Sequence, residues 1–311
     1  MGVRNTVFGS KMERKCFAKL QKTWGDKYNV YHNLPFLNVF DPKSTLVDDR
    51  GNPFEISDDE SDFLKKTSID FTVCDKEDSP LVCIEFDGMQ GGVNVGTTYL
   101  IPDGSDGGRK RRAILELKLR VAHGSGFPYF ILGSDQFRGL SDGVYLTIAD
   151  ALIGEVMSTR AWAARMGSEY DPRDYGYSSE EWDELDLDTR RSIVDDWAIG
   201  VEVGCDYEYN PIFGKVAELF RETGSSGWSM LFLNDEELDR DIWIWMECEI
   251  INYRHGNARV KVYLPNFRTP HCYFTAHIAQ EIAKLLALEK IRSRMKRKKA
   301  SGRGSQDLGR H

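Results

Sequence analysis

The chain has 311 residues, of which 41% are hydrophobic and 29% charged, and its formal net charge is −8. A chain of this length is expected to form two or three units, each able to bury a core. No window holds the ~18 uninterrupted apolar residues that a membrane span needs, and the first residues lack the apolar segment of a signal peptide. The six cysteines form no C-x-x-C pair, which argues against a cysteine zinc site and a disulfide scaffold. We therefore expect a globular, cytoplasmic protein with no membrane partner.

Charge is distributed unevenly along the chain. From Glu289 to the C-terminus nine Lys and Arg stand against two acids, whereas residues 169–208 hold fourteen acids and three basic residues. Basic segments neutralise phosphates, and acidic segments repel a polyanion. The tail is therefore a candidate for nucleic-acid binding, although a solvated helix end that only improves solubility is an equally good interpretation.

The chain begins with a predicted helix and a predicted strand. Apolar side chains recur at helical spacing over residues 11–24, which predicts an amphipathic helix. Aromatic and β-branched residues over 28–40 predict a strand, and Pro35 limits it to an edge or a break. We expect the polar, acid-rich segment 41–62 to be a loop.

Two short runs, IDFTVC (69–74) and LVCIEFD (81–87), are joined by a polar connection and predict a hairpin. If the hairpin turns about the middle of that connection, Asp70 lies opposite Glu85, and strand alternation puts Asp87 on the same face. Three clustered carboxylates repel one another, and Mg²⁺ prefers a small set of oxygen ligands of this kind. The sequence therefore predicts a site for Mg²⁺ or Mn²⁺ at Asp70, Glu85 and Asp87, unless the acids are ordinary surface charges.

A glycine-rich segment, a helix and a strand follow the hairpin. Seven glycines over residues 88–108 predict a mobile loop, and helical periodicity resumes over 109–122. The run FPYFIL (127–132) between two glycines predicts a buried strand. The order of helix, strand, hairpin, helix and strand is that of an α/β domain.

The second half shows a different pattern. Helical spacing appears over residues 149–166 and again over the acidic stretch 179–198. A turn signal separates two strand-like runs at 242–253 and 258–264, which predicts a second hairpin. A final helix is expected over 276–297, running into the basic tail.

We expect three regions along the chain. The α/β domain would cover residues 1–150, and an acidic, mainly helical region would cover 151–230. A hairpin and a helix with the basic tail would form the last region, 231–311. The second half would thus be an α+β module whose chemistry the sequence does not name.

Two further side chains fall near the acidic hairpin in this arrangement. Glu13 lies on the apolar stripe of the first helix, where it serves either as the capping-box partner of Ser10 or as a further acid of the site. Lys118 shares a helix face with apolar residues, so it either points toward the carboxylates or packs its stem on the core.

The segment Ile69-Asp70-Phe71, the motif Glu85-Phe-Asp87-Gly88 and the helix bearing Lys118 resemble the PD-(D/E)XK nuclease superfamily, in particular its branch with an E-x-D-G motif. The resemblance covers about 120 residues and implies a restriction-endonuclease-like core of four strands flanked by helices. It also implies hydrolysis of phosphodiester bonds with Mg²⁺ or Mn²⁺.

The resemblance assigns roles to individual residues. Asp70 and Glu85 would be metal ligands, Glu13 could match the acid often found on the first helix, and Lys118 would be the catalytic lysine displaced to the next helix. Asp87 stands where the general motif has its lysine. Gly91 stands about where the branch often has a histidine, and Gln90 is a substitute for it.

Basic side chains near the site provide candidates for binding the phosphate backbone. Four consecutive cations open the second predicted helix, where they oppose the helix dipole unless an anion lies nearby. Four more lie in the basic tail. The candidates are Arg109, Lys110, Arg111, Arg112, Lys296, Arg297, Lys298 and Lys299.

Three functions remain in competition. The first is a metal-dependent nuclease acting on DNA, with Asp70, Glu85, Asp87 and Lys118 as catalytic residues. The second is a non-catalytic nucleic-acid-binding or assembly protein that retains the nuclease fold, which the missing histidine favours. The third is a protein-interaction module built on the acidic second half.

Overall fold

A computed structural model describes residues 11–41, 43–48, 51–87, 106–133, 144–166, 171–231, 243–265 and 274–304. The α-helices of these segments are α1 (Lys11–Trp24), α2 (Asp58–Leu64), α3 (Asp106–Gly124), α4 (Val144–Met166), α5 (Ser179–Glu184), α6 (Leu187–Tyr209), α7 (Pro211–Thr223) and α8 (Phe274–Gly304). The strands are β1 (Asn29–Pro35), β2 (Leu46–Val47), β3 (Pro53–Phe54), β4 (Ser68–Cys74), β5 (Pro80–Asp87), β6 (Tyr129–Gly133), β7 (Gly227–Leu231), β8 (Trp243–Ile251) and β9 (Ala258–Pro265).

The first half contains a mixed four-stranded sheet in the order β1-β4-β5-β6. Strand β4 pairs antiparallel with both β1 and β5, whereas β6 lies parallel to β5. A parallel pair needs a crossover connection, and α3 lies between β5 and β6 in the chain. The first half is therefore α/β, as the order of predicted elements indicated.

Apolar residues cover both faces of this sheet. One face carries Phe71, Val82 and Ile84, which belong to the same buried cluster as residues of α1 and α4. The other face packs against α3 through a separate cluster that includes Cys83 and Ile131. A sheet covered on both faces shields the polar side chains that lie between it and its helices.

The second half contains an antiparallel sheet in the order β7-β8-β9, against which α8 packs. Side chains of α4, α7, α8 and this sheet belong to the buried cluster that also covers the first sheet. Helix α4 spans the expected boundary at residue 150, and the hydrophobic core is continuous across it. The three expected regions therefore share packing, while their boundaries stay a prediction.

Several predicted elements have the expected positions. Helix α1 has the predicted bounds, β1 is an edge strand that ends at Pro35, and both predicted hairpins are present. The predicted loop 41–62 is wrong in part, because β2, β3 and the start of α2 lie within it. The Ser57 side chain and Glu60 form a capping box at the start of α2.

The prediction of one continuous helix over residues 179–198 is also wrong. Two helices, α5 and α6, occupy this stretch and the residues after it, and Leu185 between them has an extended backbone. Asp186 caps α6 by accepting hydrogen bonds from two backbone N–H groups, so a second helix begins there.

The predicted final helix is longer than expected, because α8 continues to Gly304. Most of the glycine-rich segment 88–108 lies outside the described residues.

None of the helices in the described ranges is both long and apolar enough to cross a membrane. Five cysteines of those ranges are buried free thiols, as expected, and Cys272 lies outside the ranges.

The close approach of α4 to Asn210, the residue between α6 and α7, provides a test of this packing. A Cβ atom at Gly154 would lie 2.7 Å from Asn210 Cγ and 2.8 Å from its Cα. We predict that Gly154→Ala lowers the free energy of unfolding by about 1–3 kcal/mol, because the backbone of Asn210 must shift. Gly214→Ala in α7 is the control, since a Cβ there meets no atom within 4 Å. It should leave stability unchanged or raise it by up to about 1 kcal/mol. Equal stability losses in urea denaturation would contradict the prediction.

Candidate functional site

The hairpin of β4 and β5 has the register expected from its turn. Thr72 pairs with Cys83 and Phe71 pairs with Ile84. Asp70 and Glu85 are the next residues along the two strands after the Phe71–Ile84 pair. Directly opposite side chains of an antiparallel pair project from the same face. Glu85 lies on the face that α3 covers, where it contacts Lys118. Asp70 lies close enough to Glu85, Lys118 and Glu13 for their charges to affect its pKa.

Glu85 is 8% exposed and both of its carboxylate oxygens accept a hydrogen bond. Lys118 Nζ of α3 donates to Oε1 at 2.7 Å, and Tyr129 Oη of β6 donates to Oε2 at 2.8 Å. A buried carboxylate is tolerated when such partners compensate its lost hydration. These contacts fix the orientation of the Glu85 carboxylate.

Lys118 is only 3% exposed and makes two contacts with the sheet. Besides its ion pair with Glu85, its ammonium donates to the Ser68 carbonyl at 2.6 Å. Of the two interpretations of the sequence, the structure favours the one in which Lys118 points toward the carboxylates. The lysine is thus part of the packing between α3 and the sheet, and it lies beside the acids.

Asp70 is partly buried and lacks an equivalent cation. The Phe86 backbone N–H donates to its Oδ2 at 2.8 Å. Burial, followed by repulsion from Glu85, raises the pKa of Asp70 to about 7, although Lys118 and the Phe86 N–H act in the opposite direction. The Asp70 carboxyl group therefore retains its proton to a higher pH than an ordinary aspartate does.

Glu13 reaches the same region from α1. It is 9% exposed, and its Oε1 lies 2.6 Å from Nε2 of His32 on β1. Its negative charge contributes to the raised pKa of Asp70. The alternative role of Glu13, a capping box with Ser10, involves a residue outside the described ranges.

Sequence reasoning missed two residues of this site, Tyr129 and His32. Tyr129 has the one polar side chain of the run FPYFIL, and this was the available signal. Burial and the nearby Glu85 raise its pKa well above the ordinary value, so it remains a donor. His32 gave no such signal, because its contact with Glu13 joins two separate elements.

Of the remaining predicted residues, some are exposed on helices and others have side chains outside the described residues. Asp87 lies at the end of β5, but its side chain and all of Gln90 fall outside the described residues. Arg109, Lys110 and Arg111 are exposed on α3, and Arg112 forms an ion pair with Glu116 at 2.7 Å. The sequence predicted that these cations open the helix. Helix α3 instead begins at Asp106, three residues before Arg109.

In the basic tail, Lys296, Arg297 and Lys298 are exposed on α8, and the side chain of Lys299 lies outside the described residues. Arg294 of the same helix instead donates to the carbonyl groups of Gly256 and Asn257 in the β8–β9 turn. Arg294 thus contributes to the packing of α8 against the β8–β9 turn. Lys296, Arg297 and Lys298 are on the surface, where a ligand can reach them.

The chain matches no protein-family model, no curated protein and no solved structure.

The raised pKa of Asp70 predicts a pH-dependent stability. The folded state holds the proton up to about pH 7, whereas the unfolded chain releases it near its ordinary pKa of 3.8. The contribution of Asp70 to stability therefore falls as pH rises from about 4 to 7, and it stays low above that range. Asp70→Asn removes this loss and should raise the free energy of unfolding by about 1–3 kcal/mol at pH 8, and by little at pH 4. Denaturation of the metal-free protein at both pH values tests this, and a uniform loss of stability would contradict it.

The buried Glu85–Lys118 pair predicts non-additive mutations. Glu85→Gln and Lys118→Met should each cost about 3 kcal/mol, because each leaves a buried charge without its partner, and the double variant should cost much less than the two together. The exposed Asp62–Lys65 pair is the control, where Asp62→Asn and Lys65→Met should change stability little. Additive losses at residues 85 and 118 in chemical denaturation would show that the two charges do not depend on each other.

Proposed function

We propose that the chain is a metal-dependent nuclease that hydrolyses phosphodiester bonds of DNA, with a restriction-endonuclease-like core. One observation carries the proposal: a lysine from the next helix contacts one of two acids on adjacent strands, and both groups act electrostatically on the other acid. The lysine is Lys118, the acid that it contacts is Glu85, and the other acid is Asp70. The PD-(D/E)XK resemblance implies this combination of groups for phosphodiester hydrolysis.

The sheet topology supports the restriction-endonuclease-like part of the proposal. That resemblance implies four strands flanked by helices, with the acids on two successive strands. The mixed sheet β1-β4-β5-β6 has α1 on one side and α3 on the other, and its two central strands bear Asp70 and Glu85.

The donor set fits a hard divalent cation. Asp70 and Glu85 offer carboxylate oxygens, the ligand type that Mg²⁺ and Mn²⁺ prefer. Lys118 forms its ion pair with Glu85, so one positive charge stands beside two carboxyl groups. Asp70 and Glu85 would hold the ion, with Asp87 as a further carboxylate at the end of the same strand. When bound, the ion polarises a phosphate oxygen and lowers the pKa of a coordinated water.

Lys118 holds the Glu85 carboxylate in place and provides positive charge beside it. An ammonium has three N–H donors, of which the contacts with Glu85 and Ser68 occupy two. The third can donate to an oxygen of the reacting phosphate and stabilise its developing negative charge. The exposed Arg109 and Lys110 at the start of the same helix provide positive charge for the flanking phosphates.

A non-catalytic nucleic-acid-binding or assembly protein is the second candidate. The observation that favours it is the burial of Lys118, whose ammonium already has two partners in the fold. Such a protein would retain the Glu85–Lys118 pair for stability and bind DNA without cleaving it.

Cleavage assays with matched variants test the proposed function. The full chain, treated with EDTA and then supplied with Mg²⁺ or Mn²⁺, should cleave single- or double-stranded DNA and stay inactive without metal. Asp70→Asn should abolish cleavage and weaken metal binding in calorimetry, because it removes a charged ligand with little change of shape. Lys118→Met should abolish cleavage yet leave metal affinity unchanged or slightly higher, because a nearby positive charge is lost.

Glu77→Gln, in the turn of the same hairpin, is the control and should behave as the wild type. Metal-independent cleavage, or cleavage that survives Asp70→Asn, would contradict the assignment of the site. Binding of DNA without any turnover would favour the second candidate.

A further inference from the structure

A second cluster of ionisable side chains lies where α4, α6 and α8 meet. It consists of Glu155, Asp206 and His277, one residue from each helix, and their candidate ligand atoms all lie within 4.8 Å of one another. His277 Nδ1 is 3.0 Å from Glu155 Oε1, and Nε2 is 3.9 Å from Asp206 Oδ2. Glu155 and His277, 122 positions apart in the chain, thus lie together with Asp206 in one cluster of nitrogen and oxygen donors.

Neutral side chains hold the two carboxylates of the cluster. Ser158 Oγ donates to Asp206 Oδ1 at 2.5 Å, and Asn210 Nδ2 donates to Glu155 Oε2 at 3.4 Å. Hydrogen bonds of this kind orient the carboxylates around metal ions in proteins. Each carboxylate uses one oxygen for such a contact, and its other oxygen faces the imidazole.

The charges of the cluster do not balance. Glu155 and Asp206 are 5% and 4% exposed, so their two negative charges are buried against one imidazole. Among the described residues, even a protonated His277 supplies only one positive charge for these two carboxylates. Lys284 does not provide the missing positive charge, because its ammonium lies 2.6 Å from Glu281 and 4.0 Å from the centre of the Trp228 ring.

We propose that Glu155, Asp206 and His277 form a binding site for a divalent transition-metal ion such as Zn²⁺. Imidazole nitrogen is a ligand for zinc and its neighbours in the first transition row, whereas Mg²⁺ and Ca²⁺ take oxygen ligands. Three protein ligands with one more position for water is a common zinc arrangement. The candidate ligand atoms lie up to 4.8 Å from one another. They have to rearrange around the ion to reach zinc–ligand distances of about 2.0–2.2 Å.

Two features of the surroundings agree with this assignment. The side chain of His277 is 28% exposed, which gives the ion a path from solvent. A bound ion would also tie the first turn of α8 to α4 and α6, so metal binding should stabilise the packing of the second half. This site depends on neither the residues nor the activity of the proposed nuclease.

Zinc uptake by the full chain tests the proposal. The protein is stripped with EDTA, dialysed against Zn²⁺ at a few micromolar and assayed for bound metal, and we expect about one Zn²⁺ per chain and a rise in melting temperature. His277→Gln and Asp206→Asn should each reduce zinc affinity at least tenfold, because each removes a ligand and retains a polar side chain of similar size. With Mg²⁺ or Ca²⁺ at the same concentration, the wild type and His277→Gln should show the same change in melting temperature.

Two control variants give the result its specificity. His255→Ala removes a histidine of the β8–β9 turn. Arg294 of α8 contacts this turn, and Arg294 lies about 25 Å along the helix from His277. Asp70→Asn alters the proposed nuclease site. Both controls should retain zinc binding. Absence of zinc uptake by a folded wild-type chain, or undiminished uptake by His277→Gln, would overturn the proposal and leave the cluster as an ion pair between His277 and two acids.

Discussion

The buried contact between Lys118 and Glu85 is the constraint on which the first half of the molecule depends. An ammonium that is 3% exposed requires a partner, and here the carboxylate on β5 and the Ser68 carbonyl on β4 provide it. Tyr129 on β6 completes the contacts of the carboxylate. One ion pair thus joins α3 to three strands and sets the distance between helix and sheet. The pKa of Asp70, near this pair, is raised to about 7 by burial and by repulsion from Glu85.

Much of the fold was predictable because it follows from local patterns. The bounds of α1 follow from helical periodicity, and the pairing of Thr72 with Cys83 follows from the position of the turn. Helix α7 was missed, although Asn210 followed by Pro211 is a start signal for a helix. The break before Asp186 was missed because periodicity continues across it and only the capping residue marks the new helix. Strands of two residues, such as β2, are too short for any pattern.

The candidate site was predictable only where alternation along a strand determines which side chains meet. Asp70 and Glu85 were predicted from the hairpin register, and Lys118 from the apolar face of its helix. The contact of Glu13 with His32 joins α1 to β1, and no spacing rule relates the two residues. The same reason applies to Glu155 and His277, which are 122 positions apart and meet only because α4 packs against α8. Long-range packing, rather than residue type, determines these clusters.

The central claim is that Asp70 and Glu85 share one divalent cation beside Lys118. The most direct test is a crystal of the full chain grown with Mn²⁺, whose anomalous scattering locates the ion independently of the protein density. The account predicts an anomalous peak about 2.2 Å from a carboxylate oxygen of Asp70 and from one of Glu85. A crystal in which Mn²⁺ binds elsewhere and leaves the space between these two carboxylates without a peak would contradict it.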